Sequence, residues 1–310
     1  MPSKEIFTFW EPKGKIHPYL ELCRKTWEKN LPDYKIITLD YSNLNDYFDG
    51  KIFDWSLLKR LPLAIQKEAI MVAVLEKSGG IFMDLDTLVL KDIAPLLSFL
   101  ESSEVVIFNK HCAFLAAKAN AHLLRLWLQG IQERILQLKD MQITDDIVKW
   151  DYLGTSVLTE VMAKITGKLE YDVRLIGRII DKFIWLYREF GGKSLRFIEL
   201  TNRIKNALLN RRRDFVFSTI NRKYLKILDR KKYGFIREVL HYRIRKMDPI
   251  KKYLNFWFKS GLTVDTVLGS DQMLIGLHNS WTPEWYKRLS EKEALEYNCL
   301  LSKTLKHVLS

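Results

Sequence analysis

Two hydrophobic periods alternate along this chain, and the switches between them outline an α/β protein. Glu5-Ile6-Phe7-Thr8-Phe9-Trp10 is rich in β-branched and aromatic residues, which predicts a first strand over 5–10. His17 to Asn30 reads as a helix closed by Leu31-Pro32-Asp33, and Tyr34 to Leu39 as a second strand before the polar turn Asp40-Tyr41-Ser42-Asn43. Strand, helix and strand within about 35 residues form a βαβ unit, which needs a crossover and argues for a mostly parallel sheet. Asn45 to Lys59 is looser and predicts short helices. Leu61, Ile65, Glu68, Val72 and Leu75 then recur at helical spacing on one face. Gly79-Gly80 supplies the positive φ at which helices commonly end, and Ile81-Phe82-Met83 is short enough only for a buried strand.

Beyond it, Thr87 to Leu90 continues as strand and Ile93 to Leu100 as a short helix. Glu104 to Phe108 and Ala113 to Ala117 are two further strands, and His122 to Leu138 is an amphipathic helix. Trp150 to Thr159 contains Gly154-Thr155 at a helix start, where a backbone can approach a ligand and phosphate is favoured; a plain helix cap is the equal alternative. Met273 to Leu277 is a small buried strand delivering His278 and Asn279, and Ser290-Glu291-Lys292-Glu293 is a capping box before a C-terminal helix.

Charge changes the picture in one place. Between Thr201 and Lys252 there are 17 lysines and arginines against 4 acidic residues, while the rest of the chain holds 33 of each sign. The whole excess of +13 therefore lies in that segment, and aromatics recur within it and just beyond, such as Tyr224, Tyr233, Phe235, Tyr242, Tyr253, Phe256, Trp257 and Phe258. We read 169–262 as a basic, mainly helical insertion, between a core over 1–168 and a return to the core over 263–310. Anionic lipid headgroups suit such a segment, nucleic acid is the less favoured partner, and a merely solvated face is the plain alternative. The three cysteines are widely spaced without a Cys-x-x-Cys, which predicts reduced thiols; no signal-peptide pattern and no apolar run of membrane-spanning length is expected.

The candidate chemistry sits at the exit of the Ile81-Phe82-Met83 strand. Residues i and i+2 of a strand point to one side, so Asp84 and Asp86 are expected to face one ligand together. Two hard oxygen donors suit Mg²⁺ or Mn²⁺ shared with substrate phosphates; strand-end aspartates also cap turns. Glu68 places a carboxylate within an apolar stripe, which costs free energy unless it is paired. Trp10 lies at a strand's C-terminal end, where open α/β sheets bind ligands, although a core Trp is the plain reading.

The run Leu63-Ala64 through Gly79-Gly80-Ile81-Phe82-Met83-Asp84-Leu85-Asp86 resembles the DXD sugar-binding region of bacterial capsular-polysaccharide and Och1-like glycosyltransferases. So do the first strand ending in Trp10, the segment Cys23-Arg24-Lys25-Thr26-Trp27 with Leu31-Pro32-Asp33-Tyr34-Lys35-Ile36-Ile37, and the late His278-Asn279-Ser280-Trp281. The departures are Glu68 where the family has Asp, Met71 where it has Arg, and Thr155 where it has Pro.

That resemblance implies a GT-A-type mixed, mostly parallel sheet flanked by helices, and a metal-dependent hexosyltransferase using Mn²⁺ or Mg²⁺. It implies a UDP-sugar donor, retention of configuration and a polysaccharide or lipid-linked saccharide acceptor in capsule or cell-surface glycan synthesis. Asp86 would bind the metal directly, Asp84 would contact the ribose or the metal, and His278 would complete the site; Glu68 would have a structural or donor-site role, and Trp10, Gly154 and Thr155 would contact the nucleotide. A cytoplasmic enzyme held peripherally on the inner face of the membrane is the expected setting. Two rivals remain: a haloacid-dehalogenase-like phosphohydrolase, whose Asp-x-Asp-Gly-Thr lacks its Gly here, and a non-catalytic basic binding protein.

Overall fold

The computed structural model describes residues 3–108, 111–140, 143, 148–166, 224–228, 235–236, 248–258, 261–269 and 272–310. The chain runs through β1 (Glu5–Phe9), α1 (Pro18–Asn30), β2 (Lys35–Leu39), α2 (Trp55–Leu58), α3 (Leu63–Ser78), β3 (Gly80–Met83) and β4 (Thr87–Val89). It continues through α4 (Ala94–Leu97), β5 (Val105–Phe108), β6 (His111–Ala117), α5 (His122–Gln137) and α6 (Thr155–Thr166). Then follow β7 (Leu225–Leu228), β8 (Phe235–Ile236), α7 (Pro249–Trp257), β9 (Leu274–Gly276) and, near the end, the helix Leu300–Leu309.

The expected mixed, mostly parallel sheet flanked by helices is present. Its six strands lie in the order β2-β1-β3-β6-β5-β7, and β6 alone is reversed, running antiparallel to both β3 and β5. Period-two alternation sorts the side chains onto two faces. Phe7, Phe82, Ile107 and Leu115 enter one core beneath α3, α5 and α6, whereas Ile6, Ile81, Met83, Val106 and Phe114 enter the other beneath α1 and Leu300–Leu309. Burial on both sides accounts for strands that read as continuous apolar runs.

Three readings are corrected. The α3 stripe is broader than one face: Ala69 through Leu75 are all buried, because the helix lies between the sheet and α5. Asp84-Leu85-Asp86 is not pleated strand, since β3 stops at Met83 and the Thr87 N–H donates to the Asp84 carbonyl at 3.0 Å, closing a turn. β4 then leaves the main sheet and pairs antiparallel with β9, which pairs in parallel with β8, giving a second sheet of three strands.

Most of 169–262, including Arg211, Arg212, Arg213, Lys231 and Lys232, lies outside the described residues. Its described parts belong to the two layers already named. β7 adds a parallel edge to the large sheet, β8 joins the small one, and α7 buries Tyr253, Phe256 and Trp257 in the second core. Among the described residues no helix is long and apolar enough to cross a membrane.

Candidate active site

Parallel pairing of β1, β2 and β3 brings their C-terminal ends to one edge of the sheet. Phe7 stands opposite Phe82, so Trp10 and Asp84 leave their strands at that shared edge, where α/β sheets place ligands. The Asp84 N–H donates to the Ala113 carbonyl at 3.0 Å, one rung beyond the β3–β6 ladder, and this fixes the height of the turn that follows. α1 braces the turn from below: the fully buried Trp27 donates its indole N–H to the Thr87 carbonyl at 2.6 Å. Asn30 bonds the Val89 carbonyl, and Thr26 Oγ1 accepts from the Val89 N–H.

The β4–β9 pairing delivers the far segment. The Leu277 N–H donates to the Asp86 carbonyl at 2.9 Å, and the Asn279 N–H donates to Asp86 Oδ2 at 2.8 Å. Asp86 is thus held by main chain from the other end of the protein. Burial first, and then the neighbouring Asp84 charge, push its carboxyl up to about 7, against the opposing pull of the Asn279 N–H and Lys67. Such a pair is stabilised by any cation that reaches it.

One cation is already there, and sequence reasoning missed it. Lys67 Nζ lies 2.7 Å from Asp84 Oδ1 and 3.1 Å from Glu68 Oε1. Burial works against its charge, but Asp84 and Glu68 outweigh that and raise the ammonium above its ordinary value. Lys67 falls beside, not within, the apolar stripe of α3, so the stripe does not single it out. A usable signal was its spacing four before Met71, which puts it on the helix face where the family's Arg is missing.

Glu68 is only 7 % exposed. One oxygen takes Lys67, while Oε2 is buried without a hydrogen-bond partner among the described residues. A Cβ at Gly154 would stand 2.7 Å from that Oε2, so a side chain at position 154 would force the Glu68 carboxylate to shift. Gly154 and Thr155 do open a helix, α6, but the anionic group seated at its start is the Glu68 carboxylate. The buried Cys112 thiol, at the head of β6, adjoins the same carboxylate; burial and the Glu68 charge push its pKa up.

Trp10 is half-buried beside this edge, its indole N–H donating to the Lys15 carbonyl at 3.2 Å and its ring set edge-on to His17. The His278 imidazole stacks on Trp281 at 4.0 Å between ring centres and meets Tyr253 edge-on, while the His278 main-chain N–H donates to the Tyr253 hydroxyl at 3.3 Å. Among the described residues no three His, Cys, Asp or Glu side chains gather about one metal position. Asp84 and Asp86 by themselves offer two hard carboxylate donors. That suits a hard divalent ion whose remaining positions go to water and phosphate oxygens.

With this geometry in hand, comparison with known proteins is direct. Residues 18–106 match the family described as "Glycosyltransferase sugar-binding region containing DXD motif". That stretch of the chain is similar to the sugar-binding region of DXD glycosyltransferases. The matched span includes α1, β2, α3 and both aspartates, which are the elements that build and brace the carboxylate turn. No curated protein matches the chain. Among solved structures, one named "PaToxG Glycosyltransferase" is similar at 16 % identity, covering 66 % of this chain and 85 % of that chain, with a TM-score of 0.40.

Proposed function

We propose that this glycosyltransferase moves a sugar from a nucleotide-sugar to a saccharide acceptor, assisted by a divalent cation on Asp84 and Asp86. The observation that carries this is the paired carboxylate turn at the C-terminal edge of the parallel strands, inside the span matching a DXD sugar-binding region. Bound Mn²⁺ or Mg²⁺ would supply positive charge to the departing diphosphate. The chain's own residues prepare the place. Asn279 fixes the Asp86 carboxylate through its N–H, the Ala113 carbonyl fixes the backbone at Asp84, and Trp10 leaves β1 at the same edge of the sheet as an aromatic surface for the base. Glu68 and Gly154 close the floor behind the two aspartates.

The finer reading takes a UDP-hexose as donor, a polysaccharide or lipid-linked acceptor and retention of configuration. It places the enzyme on the cytoplasmic face of the membrane. The support for membrane attachment is the confinement of the net charge to 201–252, since basic residues gain about 1 kcal/mol each beside anionic lipid. A phosphohydrolase reading is disfavoured, because its Asp-x-Asp-Gly-Thr departs at Thr87 and follows the first strand of its sheet, whereas Asp84 follows the third.

The test is a panel of nucleotide-sugars with and without Mn²⁺, read by melting temperature and by slow donor hydrolysis in mass spectrometry. A metal-dependent shift with one nucleotide class, together with release of its sugar, is the expected result. No response to any donor in either readout would overturn the reading. Sedimentation with anionic and neutral liposomes at low and high salt tests attachment separately, with Arg211, Arg212, Arg213, Lys231 and Lys232 changed to Glu as the control.

A further inference from the structure

Lys67 is a half-buried ammonium placed by α3 between two carboxylates of different standing. The Asp84 side chain belongs to the proposed metal pair and is 24 % exposed, whereas the Glu68 side chain is buried and faces inward to Gly154. The lysine lies 2.7 Å from the first and 3.1 Å from the second. An ammonium and a divalent ion cannot both sit at hydrogen-bond distance from Asp84 without repelling each other strongly. Glu68 is already in reach, so the ammonium has a second resting place that requires no rearrangement of the helix.

We propose that Lys67 is a positioning residue that serves as the resident counter-cation of the metal site. In the metal-free protein it holds Asp84 in place, and it retires to Glu68 when the divalent ion enters. Three observations support this. Lys67 bridges both carboxylates at once. Asp86 takes the Asn279 N–H, not the lysine, as its hydrogen-bond donor, so only one of the two aspartates is occupied by a side-chain cation. Glu68 also keeps a buried oxygen, Oε2, with no hydrogen-bond donor among the described residues, which leaves acceptor capacity for the ammonium on the inward side. No proton or bond changes hands; the ammonium changes partner. The inference rests on the metal-assisted reading above and says how tightly the site binds its ion.

The experiment measures Mn²⁺ affinity by electron paramagnetic resonance, without donor and with UDP, in the wild type, Lys67→Met and Glu68→Gln. Removing the resident cation is expected to tighten donor-free Mn²⁺ binding about tenfold, and removing its second resting place to weaken it by a similar factor. A lysine that only supported the fold would weaken binding in both variants, so the opposite signs carry the test. Should Lys67→Met prove too unstable to measure, Glu68→Gln decides alone, because unchanged or tighter Mn²⁺ binding in that variant overturns the proposal. Equal affinities in all three proteins also overturn it, while leaving the metal-dependent reading standing. Absence of Mn²⁺ binding from all three, even with UDP, overturns both.

Discussion

The Asn279 main-chain N–H donates to Asp86 Oδ2 at 2.8 Å across 193 residues of sequence. The DXD turn is therefore not a self-sufficient loop. One of its carboxylates is oriented by backbone that arrives only after the second sheet has formed through β4 and β9. Backbone donors are indifferent to side-chain identity, so residue 279 could change type and still perform this contact.

Asp86→Ala is expected to abolish metal-dependent donor binding while leaving the fold intact. The side chain accepts a hydrogen bond from the Asn279 N–H, and the turn itself is closed by backbone. Near-normal transfer by this variant with any donor would sink the two-carboxylate site.

The raised Asp86 carboxyl gives a pH dependence with a definite sign. A carboxylate whose folded pKa is lifted from the ordinary 3.8 to about 7 binds its proton more tightly in the native state. Stability of the metal-free protein should therefore fall as pH rises between those values and level off above. Asp86→Asn removes that cost, so at pH 8 the metal-free variant should be more stable than wild type by roughly 1–3 kcal/mol. Mn²⁺ affinity of the wild type should rise through the same window, since the ion competes with the proton. Denaturant titration at pH 5 and pH 8 checks the first part and Mn²⁺ titration the second; a metal-free protein that gained stability from pH 5 to pH 8 relative to Asp86→Asn would contradict it.

Gly154→Ala is expected to destabilise by about 1–3 kcal/mol, because the new Cβ would press on Glu68 Oε2 at 2.7 Å and Cδ at 3.0 Å. The cost should shrink in a Glu68→Ala background, where those atoms are gone. Additive effects in the double variant, measured by urea unfolding, would show that the two residues do not share this space.

His278→Ala should cost about 1 kcal/mol of stability through the lost stacking on Trp281, while Mn²⁺ affinity changes by less than about threefold. A tenfold loss of Mn²⁺ affinity in this variant, read by electron paramagnetic resonance, would restore His278 to the coordination sphere.

How much of this was legible beforehand differs by element. Gly79 and Gly80, at φ 65° and 98°, end α3 and start β3 where the glycine pair predicts. The first βαβ unit, the strand over Val105–Phe108 and the capping box at Ser290 are equally plain, because local spacing alone determines them. The turn at Asp84 was not legible, since a two-residue offset looks alike in a pleat and in a turn until the Thr87 N–H finds its acceptor. The departure of β4 from the main sheet depends on β9, far along the chain, and no local pattern encodes it. Lys67 was hidden for the opposite reason. Its neighbours in sequence describe a surface, and only the fold brings Asp84 to it.

The pairing of β4 with β9 has a consequence for synthesis. Until residues 274–279 have emerged and docked, Asp86 has neither the Leu277 N–H on its carbonyl nor the Asn279 N–H on its carboxylate. A nascent chain on the ribosome can therefore form its first βαβ unit early, yet it should acquire Mn²⁺ affinity only once residues 274–279 have emerged and paired with β4. Metal capture thus reports the docking of β9, and products truncated before it should remain unable to sequester the ion or the donor.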